Sequence, residues 1–285
     1  MTYAEALEVT ELKPGFGAEV SGVDVARASD AVHQDLVDIF QKHGALLIRG
    51  QTMSPDDLMR FLSAFGEPED HTQTKFTLPG YPKIYLLSNK KDDTGEPIGA
   101  HFDGIGWHTD VSYREKPVMN TMLYSIEVPA EGGDTLLADC CAAYDALPAA
   151  RKAELDPLVL HHSYLHLMET RLYGRKPITP EVIKDNPDVF HPLIRTHPAD
   201  GRKALWVSTG TVKGIVGMED DEAMALIDEL VEFVTQDQFV FRHRWQPGDI
   251  LTWDNRCTLH TGSLFDDEKY TRLTHRMWVK GDKPF

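Results

Sequence analysis

The stretch FVFRHRWQPGDILTW (residues 239–253) holds two runs rich in β-branched and aromatic residues on either side of Gln246-Pro247-Gly248-Asp249. Such runs around a Pro-Gly turn predict a β-hairpin, with 250–253 returning beside 239–245. Residues 271–279 alternate in the same way. Arg272, Thr274, Arg276 and Trp278 share one face of this final strand, and Leu273, His275, Met277 and Val279 share the other. Upstream, 119–128 and 83–88 read as strands, 45–49 as a short buried strand, and 7–10 and 19–23 as short strands with Gly15 and Gly17 between them. Helical spacing of apolar residues marks 31–44, 142–155 and 220–235. One more helix opens at Ser54-Pro55, an N-cap followed by a first-turn proline, carries Leu58, Phe61, Leu62 and Phe65, and ends at Gly66. Many short strands with a few helices outside them predict a single α+β domain, 1–285, on a β-sandwich or barrel. Two segments break the pattern. Residues 89–106 are polar and glycine-bearing, and 164–188 is a weakly periodic, proline-bearing stretch that reads as a lid or insertion.

The 285 residues, 41% of them hydrophobic, suffice for a sizeable core. A formal net charge of −16 disfavours polyanionic partners, so neither nucleic acid nor an anionic membrane is expected. A small anion is still possible where arginines cluster. The N-terminus lacks a basic region followed by an apolar run, and no apolar stretch approaches the roughly 20 residues needed to span a bilayer. A soluble, cytoplasmic protein is expected. Cys140, Cys141 and Cys257 form no C-x-x-C, and buried, unreactive thiols are the reading for all three.

The chemistry concentrates in GWHTDVSY (residues 106–113), which reads as a strand. There His108 and Asp110 would project to one face, roughly 7 Å apart at about 3.3 Å per residue. His-x-Asp spacing alone is weak evidence, because it occurs three times in the chain. His33 and Asp35 fall in a helix, where positions i and i+2 point apart. His101 and Asp103 lie in the loop and lack a strand to hold them. His260, after Trp253-Asp254-Asn255-Arg256, is a candidate third ligand. Two histidines and one carboxylate suit non-haem Fe(II) oxygenases. Zinc hydrolases use similar ligand sets, usually with helical H-E-x-x-H spacing that is absent here. The two arginines of the final strand, four residues apart on one face, form a double anion site if that face points inward.

Taken together, WHTD at Trp107 to Asp110, GGDT at Gly132 to Thr135, WDNR at Trp253 to Arg256 followed by His260, and Arg272 with Arg276 resemble the taurine dioxygenase/2,4-D dioxygenase (TauD/TfdA) family of Fe(II)- and 2-oxoglutarate-dependent enzymes. HPLIRTHPADGRKALWV and the closing GDKPF are similar too, so the resemblance runs from about Val20 to the C-terminus. It implies a double-stranded β-helix (jelly-roll) core with flanking helices. It implies Fe(II) on His108, Asp110 and His260, and 2-oxoglutarate on Thr135 and Arg272. A small organic anion would meet Arg276, His71 and the backbone N–H of Val111. O2 would be consumed, and succinate and CO2 released, as a C–H bond of the substrate is hydroxylated. A homo-oligomer, dimer or tetramer, is expected. Taurine enzymes carry an asparagine three residues before the tryptophan, where this chain has Gly104, and 164–184 adds Arg171, Arg175 and Lys176. These departures make a bulkier anion, such as an aryloxyalkanoate, another sulfonate or an amino-acid-derived carboxylate, as much expected as taurine. Taurine oxidation proper, a metal-binding jelly roll without oxygenase activity and a zinc hydrolase are the alternatives.

Overall fold

The alternation at the C-terminus becomes the strand Leu273–Val279, an interior member of an eight-stranded sheet. A computed structural model describes residues 7–71, 74–101, 103–170 and 178–285. The sheet runs in the order Glu8–Lys13, Phe16–Ser21, Ala45–Ile48, Ile250–Asp254, Asn120–Glu127, Leu273–Val279, Tyr81–Ser88, Thr77–Leu78. Its neighbours are antiparallel except Phe16–Ser21 with Ala45–Ile48, which the helix Asp30–His43 joins as a crossover.

Period-2 alternation divides this sheet into two apolar faces. Ile48, Ile84, Met122, Ile250, Met277 and Val279 face the helices Asp30–His43 and Pro55–Phe65, meeting Leu36, Phe40, Phe61 and Leu62. The second helix starts as its sequence predicts: Ser54 and Asp57 form a reciprocal capping box ahead of Pro55. Leu47, Tyr85, Leu123, Leu251 and Trp253 face the other way and meet Leu137 of a smaller sheet. That sheet pairs Thr135–Asp139 with Val240–His243 on one side and Thr258–Gly262 on the other, all antiparallel. Its far side packs, through Ala138 and Leu259, in a cluster with Ile227, Leu230 and Val234 of the helix Asp220–Val234. His260 therefore points into the space between the sheets, because its neighbour Leu259 points out of it.

Four expectations need correction. Residues 239–253 do not form a hairpin: Val240–His243 belongs to the small sheet and Ile250–Asp254 to the large one. The turn between them is tied to the strand Asn120–Glu127 and to the segment after Ala45–Ile48, with Gly248 N–H donating to Ser125 O at 2.9 Å and Gln51 N–H donating to Gly248 O at 2.8 Å, so it carries the chain across. The single helix over 142–155 is two, Cys140–Ala146 and Ala149–Leu155, parted at Leu147-Pro148 because proline disfavours helical geometry in the residue before it. The weakly periodic 164–188 contains the helices Tyr164–Thr170 and Pro180–Asp185; Arg171, Arg175 and Lys176 lie outside the described residues. Residues 106–113 are not a strand but a turn-bearing loop with one β-bridge, from His108 to His260.

The segment 89–106 folds back on the large sheet: Ser88 N–H donates to Ala100 O and Ala100 N–H to Leu86 O, both at 2.9 Å. All three cysteines are buried and free, as expected. Among the described residues no helix is long and apolar enough to cross a membrane.

Candidate active site

His108 and His260 meet through their backbones. His108 N–H donates to His260 O at 2.9 Å, and His260 N–H donates back to His108 O at 2.7 Å. This one bridge joins the 106–113 loop to the small sheet and brings the two imidazoles to 4.1 Å between centroids. Beyond it the chain turns at Val111, whose φ of 47° is the only left-handed non-glycine conformation among the described residues. For a β-branched residue that costs on the order of 1–3 kcal/mol, and such strain persists where surrounding contacts over-determine it. Here Arg114 N–H closes the turn on Val111 O at 2.9 Å, and Thr109 Oγ1 donates to Asn255 O at 2.9 Å. The bends at Gly104 and Gly106, with φ of 89° and 92°, precede it. Asp110 thus reaches His108 and His260 by a turn and not by strand periodicity.

One donor atom from each of His108, Asp110 and His260 lies within 4.8 Å of the others. Nδ1 of His108 sits 2.7 Å from Gly106 O, which can only accept, so Nδ1 carries a proton and Nε2 is the nitrogen turned toward Asp110. Nε2 of His108 lies 3.7 Å from Asp110 Oδ1, and Nε2 of His260 lies 3.8 Å from Asp110 Oδ2. Burial pushes His260 down to about 3, so the imidazole is neutral at physiological pH. Burial alone would raise the Asp110 carboxyl; the adjacent imidazoles and the Arg276 guanidinium outweigh it and hold it below the usual carboxylate range. Two imidazoles and an ionised carboxylate converging on one point fit a divalent transition-metal ion.

The other His-x-Asp pairs have different partners. His33 Nε2 lies 2.9 Å from Val25 O. His101 pairs with Asp267 at 3.1 Å, while Asp103 faces Arg276 Nη2 at 3.6 Å. A further buried cluster, His197, Asp254 and Cys257, has its carboxylate saturated by Arg256, whose Nε and Nη2 both donate to it. That is an ion-paired corner of the fold.

Two cavities meet at the triad. The smaller, about 50 Å³, is lined by Thr135, Arg272, Thr274 and Trp245 together with His108, Asp110 and His260. Trp245 Nε1–H donates to Thr135 Oγ1 at 3.1 Å. Arg272 donates from Nη2 to His101 O at 2.8 Å, its Nε is buried without a partner among the described residues, and its guanidinium lies 5.3 Å from the Phe265 ring centre. Burial lowers the Arg272 guanidinium to about 10, Asp103 opposing, so it is still a cation at neutral pH. An inward cation with spare N–H groups suits a carboxylate.

The larger cavity, about 250 Å³, holds Arg276, His71, Val111 and Asp103 among apolar walls of Tyr113, Tyr164, Leu167, Met168 and Trp278. The Arg276 guanidinium lies 4.7 Å from the ring centres of both Tyr85 and Trp278, and its Nε is buried without a partner among the described residues. His71 is wedged between the same two rings, at 5.0 and 4.3 Å. Its Nε2 faces Lys83 O and Arg276 O, at 3.2 and 3.1 Å, so Nε2 carries the proton. Burial and Arg276 lower His71 to about 3, leaving Nδ1 as an acceptor. The expected residues are therefore all at the two cavities, and the inward face of Arg272, Thr274, Arg276 and Trp278 is as the alternation predicts.

Sequence reasoning missed several neighbours. Trp278 was legible only as a companion of Arg276 on the strand face. Asp103 was legible only as half of the wrong His-x-Asp pair, and Tyr113, Tyr164, Met168 and Thr121 were not singled out by any motif.

The family model for taurine catabolism dioxygenase TauD, TfdA family, matches residues 8–278. The chain is 33% identical to the alpha-ketoglutarate-dependent 2,4-dichlorophenoxyacetate dioxygenase of Cupriavidus pinatubonensis, over 90% of this chain and 91% of that one. It is 28% identical to the alpha-ketoglutarate-dependent sulfonate dioxygenase of Saccharomyces cerevisiae, over 98% of this chain and 68% of the relative. Among solved structures, AAD-2 in complex with Mn(II) and N-oxalylglycine superposes with a TM-score of 0.83 at 28% identity, covering 98% of this chain and 99% of that one. A taurine dioxygenase from Burkholderia xenovorans superposes at 0.80, also at 28% identity, over 98% and 92%. A mixed-sheet fold with flanking helices, a converging His-Asp-His set and two inward arginines accompany a match over nearly the whole sequence, and the chain belongs to the TauD/TfdA dioxygenase family.

Proposed function

We propose that this protein is an Fe(II)- and 2-oxoglutarate-dependent dioxygenase that hydroxylates a small organic anion, consuming O2 and releasing succinate and CO2. Its core is a double-stranded β-helix, a reading supported by the two facing sheets and by the 246–249 turn that passes the chain between them. It is one domain, because the strands Glu8–Lys13 and Leu273–Val279 share a sheet. His108, Asp110 and His260 hold the iron; Thr135 and Arg272 hold the distal carboxylate of 2-oxoglutarate in the smaller cavity. The bound iron and cosubstrate supply the oxidising chemistry. The chain's residues bind, orient and exclude water. Arg276 receives the substrate anion, its guanidinium fixed between Tyr85 and Trp278. His71 braces that arrangement through its contacts with Tyr85, Trp278 and Arg276 O, and the Val111 N–H lies near the same anion. Tyr113, Tyr164 and Met168 exclude water from the substrate body.

The observation that carries the reading is the second arginine. Arg272 lines the smaller cavity and Arg276 lines both, so two anions can be held beside one metal set. A hydrolase with the same ligands needs no such pair. The cavity volume and apolar walls support an anion with an aryl-sized body, the aryloxyalkanoate class, over taurine. Gly104 supports this too: it lines both cavities and puts no side chain beside His108.

The test is Fe(II)-dependent conversion of 2-oxoglutarate to succinate with a panel of aryloxyacetates, arylsulfonates, alkylsulfonates and taurine. The reading expects stimulation by an aryl member of the panel. Turnover of panel compounds with Zn(II) and without 2-oxoglutarate would replace it with a hydrolase.

A further inference from the structure

Asp110 does not present two equivalent oxygens. Its Oδ2 accepts from the Thr121 hydroxyl and, at 3.1 Å, from the Trp278 indole N–H. The direction of the first bond is forced. Thr121 Oγ1 accepts from Asn255 Nδ2–H at 2.9 Å, and Asn255 is held amide-side out because its Oδ1 accepts from Trp253 Nε1–H at 3.2 Å. The one hydroxyl proton of Thr121 therefore goes to the carboxylate, which can only accept. The indole is a donor only. Two donors take up the lone pairs of Oδ2, while Oδ1 faces Nε2 of His108 at 3.7 Å, beyond hydrogen-bonding distance. Both oxygens lie near an imidazole, since Oδ2 is 3.8 Å from Nε2 of His260; hydrogen bonding is what distinguishes them.

We infer that Thr121 and Trp278 are positioning residues that occupy Asp110 Oδ2 and reserve Oδ1 as the single carboxylate oxygen for the metal. The inference rests on the reading that His108, Asp110 and His260 hold a divalent cation. A carboxylate ligand free to rotate can bind through both oxygens and take an extra coordination position. Pinning one oxygen keeps that position open for a cosubstrate. Such outer partners of a ligand are typically worth 10- to 100-fold in metal affinity or activity. Trp278 also joins two parts of the site. Its ring face carries the Arg276 guanidinium at 4.7 Å, and its edge holds Asp110. Thr121 is 1% exposed and Trp278 4%, so both donors act away from bulk water.

The experiment is Co(II) titration of the metal-free protein, followed by calorimetry and visible absorbance, with no turnover involved. Thr121→Val removes the hydroxyl at nearly constant shape, Trp278→Phe removes the N–H and keeps a ring, and Thr121→Ser restores a hydroxyl. Thr121→Val and Trp278→Phe should each weaken Co(II) binding about tenfold or more. Both should also alter the visible band in position or intensity, since a second carboxylate oxygen joins the metal. Thr121→Ser should return affinity and band toward wild type. If Trp278→Phe does not fold, the Thr121 pair decides alone. Wild-type affinity and band in Thr121→Val overturn the inference. Weakened binding with an unchanged band, or no rescue by serine, also overturns it, because a merely structural role gives that result. Failure of the wild-type protein to bind Co(II) removes the metal site itself, and this inference with it.

Discussion

Arg272→Met tests the assignment of the smaller cavity, because it removes the cation and nearly keeps the length of the side chain. In the structure Arg272 spends one N–H on His101 O, keeps Nε buried without a partner, and shares its cavity with Thr135. A carboxylate entering there pairs with a desolvated guanidinium. Removing one partner of such a pair costs about 3–5 kcal/mol, since the other charge is left buried and unpaired. At about 1.4 kcal/mol per decade, that is a loss of two to three and a half orders of magnitude in 2-oxoglutarate affinity. The assay is calorimetric binding of 2-oxoglutarate to the Mn(II)-loaded protein, which needs no knowledge of the prime substrate. Arg276→Met is the control and should leave that affinity within about threefold, because the role proposed for Arg276 is to receive the substrate anion. Folding stability should not fall in Arg272→Met, because the ligand-free protein loses a cation that burial already disfavours. Less than about a fivefold loss in Arg272→Met, or a larger loss in Arg276→Met, refutes the assignment.

His101→Ala should leave metal stoichiometry unchanged, since His101 pairs with Asp267 and stands outside the converging set; loss of metal would mean that the wrong His-x-Asp motif was assigned. Acid should destabilise the metal-free protein. Burial lowers His191 and His275 to about 4 against an ordinary 6.5, so the unfolded chain takes up their protons first as pH falls. That part of the stability is complete above pH 6.5 and is lost between 6.5 and 4, at about 2 kcal/mol per histidine by pH 5. His71 and His260 act in the same direction. Thermal melts should drop by on the order of 10 °C between pH 7.5 and 5, and a flat Tm over that range would contradict the buried, neutral assignments. Ser54→Ala removes one half of the capping box and should cost about 1 kcal/mol in urea unfolding, with the m-value unchanged.

The sequence made the strand faces and the helix start legible because both depend on local periodicity and capping. Met277 and Val279 pack toward the helices while Arg276 and Trp278 face the cavities, as the alternation of 271–279 predicts. The hairpin failed for a reason that periodicity cannot express. A Pro-Gly turn reverses the chain equally well within one sheet or between two, and here contacts from Ser125 and Gln51 decide. The convergence of His108, Asp110 and His260 was anticipated for a partly wrong reason. His108 and Asp110 converge through a bridge to His260 and a left-handed Val111, not through strand alternation. The apolar cavity walls were invisible because Tyr113 comes from a loop while Tyr164 and Met168, one helical turn apart, come from a seven-residue helix too short for its periodicity to stand out in the sequence.

The central claim is that one metal set and one inward arginine together hold Fe(II) and 2-oxoglutarate. Anaerobic visible absorbance of the protein tests it most directly, with Fe(II) and 2-oxoglutarate added separately and then together. A weak band is expected that needs both, is absent in Asp110→Ala, and shifts when an aryl-bodied anion fills the larger cavity. Iron shown to be bound with no such band at saturating 2-oxoglutarate would contradict it.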